Sequence, residues 1–294
     1  MTDALTAAIA RAAALPCWTG PVDPEPLTGG ITNLNFRVED AGRSFVVRLG
    51  EDIPVHGVMR FNELAISRAA NAAGISPGVH FHAPGALVLD FIPSRALTEE
   101  EVRAPEMLPR VLDLLARVHS DVAPHLRGPV LTFWVFHVIR DYAATLRADG
   151  SPHAAALPGL LTQAERLEAA VGPVDIVLGH NDLLAANILD DGTRLWLIDW
   201  EYGGFNSPLF DLGGLATNNG LSEAQELAIL ESYFRADPAA RWRPYQAMKC
   251  ASLMRETLWS MVSETHSEID FDYAAYTAEN LSRLRLALAD FENS

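Results

Sequence analysis

The residues most able to do chemistry fall in one short stretch. His180-Asn181-Asp182-Leu183-Leu184-Ala185-Ala186-Asn187 is followed by Leu197-Ile198-Asp199-Trp200-Glu201. Asp182 and Asn187 stand at the two ends of one short loop. Asp199 stands at the end of the second strand of a hairpin, beside Asn187 across it. One amide and one carboxylate at a strand end offer hard oxygen ligands, which suit Mg²⁺ rather than zinc. The remaining carboxylate, Asp182, is then free to hold a hydroxyl. That division of labour is the one phosphoryl transfer uses: one Asp orients the nucleophile, and an Asn with a second Asp holds the metal. A turn-forming role accounts for one such residue, but not for the ordered set His-x-Asp-x4-Asn followed by an Asp in an apolar strand.

The elements that must position this set read as two textures that meet near Pro93. Before it the chain alternates like short strands. Ile31 to Val38 and Ser44 to Leu49 flank the turn Glu39-Asp40-Ala41-Gly42-Arg43 and predict a hairpin. Asn62 to Ala73 has helical spacing and stops at Gly74. Val79 to Phe81 and Ala86 to Phe91 are again strand-like. After Pro93 the pattern predicts helices over Thr98 to Val102, Glu106 to Ser120, Thr132 to Ala148, Thr162 to Ala170, Glu223 to Phe234, Tyr245 to Glu264 and Tyr273 to Leu288. Ile176 to Trp200 is one β-rich island among them. The expectation is an α+β chain: a small lobe over 1–91 and a helical lobe over 92–294 that holds the catalytic loop.

The small lobe carries two features suited to phosphate. In Leu27-Thr28-Gly29-Gly30-Ile31-Thr32-Asn33, Gly29 and Gly30 let backbone N–H groups approach phosphate oxygens, and Thr32 and Asn33 add donors. It is neither a Walker loop nor Gly-x-Gly-x-x-Gly. Arg48, at the end of Val46-Val47-Arg48-Leu49, can fork onto two phosphate oxygens and needs an anion to fix it. Glu63 on the following helix is the candidate.

With 22 basic against 38 acidic residues the net charge is −16. That argues against nucleic acid, whose recognition runs on basic patches, and against an anionic membrane surface. Cys17 and Cys250 are too few for a disulfide framework or a zinc site. The Ala-rich start, interrupted by Asp3 and Arg11, lacks the pattern of a signal peptide. Leu131 to Ile139 is about half the length of a membrane span. The expected compartment is the cytoplasm.

On these motifs the chain resembles the choline/ethanolamine kinase family, within the aminoglycoside phosphotransferase and protein-kinase-like superfamily. Asp199-Trp200-Glu201-Tyr202 stands where protein kinases have Asp-Phe-Gly. With Phe205-Asn206 and Phe210-Asp211-Leu212-Gly213 it is similar to the choline and ethanolamine kinases in particular. The resemblance implies a protein-kinase-like two-lobe fold using ATP and Mg²⁺, with Asp182 as catalytic aspartate and Asn187 and Asp199 as metal ligands. It implies that Glu201 assists metal or substrate, and that Asp211 braces the catalytic loop through backbone hydrogen bonds. His180 is read as structural, since phosphoryl transfer needs no imidazole. The Gly-Gly loop and Arg48 fit the family. Leu87 to Arg95 resembles its hinge, where the backbone of Asp90 and Ile92 would bind adenine.

Choline kinases hold the ammonium in an aromatic box, and Trp259, Tyr273 and Tyr276 match the segment that supplies it. There are two departures. Glu256 stands where the eukaryotic enzymes have another Trp. Leu215 to Gly220 replaces an aromatic and acidic stretch. Glu256 is expected to pair with a substrate ammonium, tilting the pocket towards a primary or less substituted amine, or else to be a helix-surface charge or the partner of Arg255 or another Arg. The expected reaction is phosphoryl transfer from ATP to the hydroxyl of a small amino alcohol, choline or ethanolamine first. An aminoglycoside, thiamine or a sugar is the alternative acceptor, and nucleotide binding without turnover is the remote one. Protein phosphorylation is disfavoured because no activation segment ending in Ala-Pro-Glu follows Asp199.

Overall fold

The structure, a computed structural model, describes residues 3–27, 33–267, 269 and 271–293. Gly29, Gly30 and Thr32 of the expected phosphate loop lie outside the described residues.

Alternating apolar residues build the first layer. After helix α1 (Asp3–Ala13), strands β1 (Glu25–Leu27), β2 (Leu34–Asp40) and β3 (Arg43–Leu49) run antiparallel. The β2–β3 turn places Ala41 and Gly42 at φ 49° and 77°, the left-handed pair that matches strand twist in a two-residue hairpin. Helix α2 (Arg60–Ala72) follows, then β4 (Val79–Ala83) and β5 (Ala86–Asp90). The sheet order is β1-β2-β3-β5-β4, and the register sets Arg48 opposite Leu87. Phe36, Val38, Phe45, Val47 and Val88 form a small apolar core beneath α1.

The rest is mostly helical. Short β6 (Arg95–Ala96) leads into α3 (Glu99–Arg103), whose Thr98 and Glu101 form a capping box. Then come α4 (Leu108–Asp121), α5 (Val135–Ala148), α6 (Leu157–Val171) and β7 (Val177–Gly179). The hairpin β8 (Ile188–Asp190) and β9 (Leu195–Leu197) is followed by β10 (Gly204–Asn206), α7 (Pro208–Asn219), α8 (Glu223–Phe234), α9 (Ala239–His266) and α10 (Tyr273–Asn293). A large core joins α4, α5, α7 and α9.

The apolar face of α2 belongs to this large core: Ile66, Ala69 and Ala70 pack there with Val58. Asn62 pins it, donating to the Gly203 carbonyl at 2.8 Å and accepting from Leu131 N–H at 2.9 Å. The helix that carries Glu63 is thus held against the helical half rather than hanging from the sheet.

Helix α6 begins five residues before the expected Thr162 and α10 runs five past Leu288; two further departures concern α7 and α9. Pro208 to Asn219 forms a full helix although it contains Gly213-Gly214. A Cβ on Gly213 would meet the Lys249 backbone at 2.9 Å, so the missing side chain is what lets α7 lie against α9. Helix α9 starts six residues before the expected Tyr245 and carries Pro244 internally. Among the described residues no helix is long and apolar enough to cross a membrane.

Candidate active site

The loop around Asp182 is fixed by main-chain bonds. Asp211, buried on α7, accepts from the N–H groups of His180 at 2.8 Å and Asn181 at 2.7 Å, and from His119 Nε2 at 2.9 Å. Burial opposes its charge, but the His119 contact and these hydrogen bonds hold its carboxyl below the usual range. Asn181 sits at φ +66°, a conformation Asn tolerates. Its Nδ2 donates to the Tyr202 carbonyl at 3.0 Å and its Oδ1 accepts from Asn206 at 3.0 Å. His180 is fully buried, with Nε2 2.9 Å from the Ile198 carbonyl and Nδ1 3.3 Å from Asp182 N–H. That pattern requires the neutral ring, and burial pushes its pKa down. The ring is a strut between loop and hairpin.

Asn187 and Asp199 both lie at the open end of the β8–β9 hairpin and line one cleft, with Ile198 N–H bonded to the Asn187 carbonyl at 3.0 Å. Asn187 Nδ2 donates to the Asp182 carbonyl at 3.0 Å. This leaves its Oδ1 as an oxygen without a hydrogen-bond partner among the described residues. Asp199 adopts φ +69°, a strained setting for a non-glycine residue, and one that clusters at functional sites. Its Oδ1 takes Arg48 Nη2 at 2.6 Å, leaving Oδ2 without a described partner. An amide oxygen and a carboxylate oxygen at a strand end fit the hard, oxygen-seeking Mg²⁺.

Arg48 is held from three sides: Asp199, Glu63 at 3.1 Å and Glu201 at 3.9 Å. Burial alone would weaken its protonation; the three carboxylates more than restore it. Arg60 enlarges the cluster, reaching Glu63 at 2.7 Å and Glu201 at 3.2 Å. Asn33 donates to Glu201 at 3.0 Å. Burial, then Asp199, raises the Glu201 carboxyl pKa. Glu201 therefore ties the sheet, α2 and the hairpin together.

A cleft of about 610 Å³ runs past these groups. One end is bounded by Val46, Leu89, Asp90, Phe91 and Ile92, the middle by Arg48, Asp182, Asn187 and Asp199, the other end by Asn218, Arg255, Glu256, Trp259 and Tyr276. At the hinge end the Asp90 N–H is taken by the Gly78 carbonyl at 2.8 Å, and its carboxylate pairs with Arg43 at 2.8 Å. The Ile92 N–H carries no hydrogen bond among the described residues.

At the far end, α9 brings Arg255, Glu256 and Trp259, and α10 brings Tyr276. Glu256 accepts from Arg255 Nη1 at 2.9 Å and from the Tyr276 hydroxyl at 2.8 Å. Arg255 is 4% exposed and lies 4.0 Å from Asp182. Enclosure pushes the Asp182 carboxyl up to about 8; Arg255 opposes this, while Glu256, Asp199 and Glu201 add to it. Trp259 Nε1 donates to the Tyr202 hydroxyl at 3.0 Å. Behind Trp259, His56 is pushed down to about 3 by burial and by Arg255, so this wall is neutral.

The structure thus gathers Asp182, Asn187, Asp199, Arg48, Glu201, Glu256, Trp259, Tyr276, Asp90 and Ile92 along one cleft, with Asn33 and Glu63 behind Arg48. Tyr273 is the exception. It packs edge-on behind Trp259 at 6.0 Å, bonds Ser267 through its hydroxyl, and does not line the cleft. Helical spacing identifies aromatic residues but not which of two adjacent rings reaches the front. The sequence also gave little notice of Arg60, Tyr202 and Asn218. Only Arg60 has a local signal, three residues before Glu63 on one helix face.

Residues 25–225 match the family model described as choline/ethanolamine kinase. Protein LicA of Haemophilus influenzae is 28% identical over 263 residues, covering 84% of this chain and 75% of its own length. A probable ethanolamine kinase of Arabidopsis thaliana is 26% identical over 287 residues, with 86% and 76% covered. A choline/ethanolamine kinase family protein from Mesorhizobium loti superposes with a TM-score of 0.77 at 27% identity, covering 97% of this chain and 94% of that one. The two-lobed arrangement is the protein-kinase-like fold, and the chain belongs to the choline/ethanolamine kinase family of small-molecule kinases.

Proposed function

We propose that this protein transfers the γ-phosphoryl group of ATP, with Mg²⁺, to the hydroxyl of a small amino alcohol, ethanolamine or choline. The observation that carries this reading is the single cleft that joins the hinge, the Asp182–Asn187–Asp199 set and a Glu256–Trp259–Tyr276 end.

The adenine lies at the hinge, where the free Ile92 N–H offers a donor. Arg48 is the cation set to meet the phosphates, and Gly29–Thr32 is by its sequence the candidate phosphate loop. Asn187 Oδ1 and Asp199 are the groups that would hold Mg²⁺, which neutralises charge on the phosphates when bound. Asp182 orients the acceptor hydroxyl and takes its proton. The acceptor oxygen bonds to the γ-phosphorus as the bridging bond to ADP breaks. The raised proton affinity of Asp182 suits it to that role. Positioning supplies much of the rate, and here it comes from Asp211 bracing the loop.

ADP release measured over ethanolamine, choline, an aminoglycoside, thiamine and a sugar tests the reading. Turnover with an amino alcohol, at least tenfold above the other acceptors in kcat/KM, is the expected result. Turnover confined to an aminoglycoside, thiamine or sugar, or none at all with ATP still bound, overturns it.

A further inference from the structure

The acceptor end contains a cation of its own. Arg255 is buried; its Nη1 bonds Glu256 and lies 4.0 Å from Asp182, the Tyr142 hydroxyl stands beside the guanidinium, and Nε and Nη2 have no well-aligned hydrogen-bond partner among the described residues. Ring faces supply much of the rest of its surroundings. The guanidinium carbon lies 4.2 Å from the Tyr202 centroid and 5.6 Å from that of Phe133, within the range of cation–π attraction.

Resting on the amino-alcohol reading above, we propose that Arg255 is a specificity-determining residue that sets this site to prefer a primary over a quaternary ammonium. A quaternary ammonium has no N–H to donate, so it depends on ring faces. Here the Tyr202 and Phe133 faces are taken by the chain's own guanidinium. Tyr273 stands behind Trp259, and position 256 is a carboxylate. Trp259 and Tyr276 alone remain of the expected rings along the cleft.

A primary ammonium meets a different surface. Arg255 and the Tyr276 hydroxyl each fix one oxygen of Glu256. A carboxylate has about four lone-pair sites, so both oxygens keep capacity for N–H donors, and the side chain is 23% exposed. The two bonds hold it in one orientation, so ordering it costs the substrate little. A primary ammonium can approach it to hydrogen-bonding distance. A trimethylammonium is held farther away by its methyl groups, where repulsion from Arg255 cancels more of the attraction.

The test compares kcat/KM for ethanolamine and choline in wild type, Arg255→Met, Arg255→Lys and Glu256→Gln, with the KM for ATP as control. Wild type is expected to prefer ethanolamine. Arg255→Met frees the Tyr202 face and should raise the choline-to-ethanolamine ratio about tenfold, the scale of a desolvated cation–π contact. Arg255→Lys should move it less. Glu256→Gln should lower ethanolamine more than choline, and it carries the test if Arg255→Met does not fold. A merely structural Arg255 would depress both substrates alike and leave the ratio unchanged. That result, or a wild type preferring choline, overturns the inference while the amino-alcohol reading stands. A wild type that phosphorylates neither substrate refutes that reading instead.

Discussion

The proposed catalytic loop with its hairpin and the proposed acceptor end of the cleft are built by different means. Around residues 180–201 the functional side chains are set by the main chain: Asp211 grips two backbone N–H groups, Asn187 bonds the Asp182 carbonyl, and Ile198 bonds the Asn187 carbonyl. At the acceptor end the contacts run from side chain to side chain: Arg255 to Glu256, Tyr276 to Glu256, Trp259 to Tyr202. The first kind of construction depends on backbone path and tolerates little change. The second depends on side-chain identity, so single substitutions can retune it without disturbing the fold. The family-model match, over residues 25–225, takes in the first region, and curated relatives align across the second as well.

This contrast ranks what substitutions should do. The largest effect is expected from Asp199→Ala, which removes one of the two proposed metal ligands and a partner of Arg48. Turnover should fall to background, and Mg²⁺ should no longer strengthen nucleotide binding in a titration with and without the metal. An unchanged Mg²⁺ effect would break the assignment. Next is Asp211→Ala, which strands two buried N–H groups and His119. A loss of about 3–5 kcal/mol of stability in denaturant unfolding is expected; a loss under 1 kcal/mol would mean the loop is held by something else. The smallest is Tyr276→Phe. It deletes one hydroxyl on Glu256 and should raise the acceptor KM about two- to tenfold, the scale of one hydrogen bond, with the ATP KM unmoved. A drop in stability comparable to that of Asp211→Ala would erase the distinction between the two regions.

The sequence was legible where spacing alone fixes geometry. The β2–β3 hairpin, the α8 boundaries and the ordered set Asp182, Asn187, Asp199 all follow from local periodicity and turn chemistry. It was less legible where neighbours distant in the chain decide. Gly213-Gly214 reads as a helix breaker, but the cost of glycine in a helix, about 1 kcal/mol, is offset by the close packing on Lys249. Pro244 suggests a helix start, yet the preceding turn is held in place, with Trp242 stacked on Tyr245 at 5.6 Å. Tyr273, matched in sequence to the aromatic box, does not line the cleft, because its ring packs against Trp259. Glu256 was readable as an odd carboxylate among aromatics with Arg255 as one possible partner, but the Tyr276 hydroxyl became visible only once α9 and α10 were set side by side.

The central claim is that Asp182 does the chemistry in a cleft whose nucleotide and metal groups are separate from it. The most direct measurement is turnover of Asp182→Asn at saturating ATP, Mg²⁺ and ethanolamine, alongside its nucleotide affinity. Affinity should stay within about twofold of wild type while kcat falls 10²–10⁴-fold, the usual worth of a general base. More than about a tenth of wild-type turnover, or a loss of nucleotide binding equal to the loss of rate, would contradict the account.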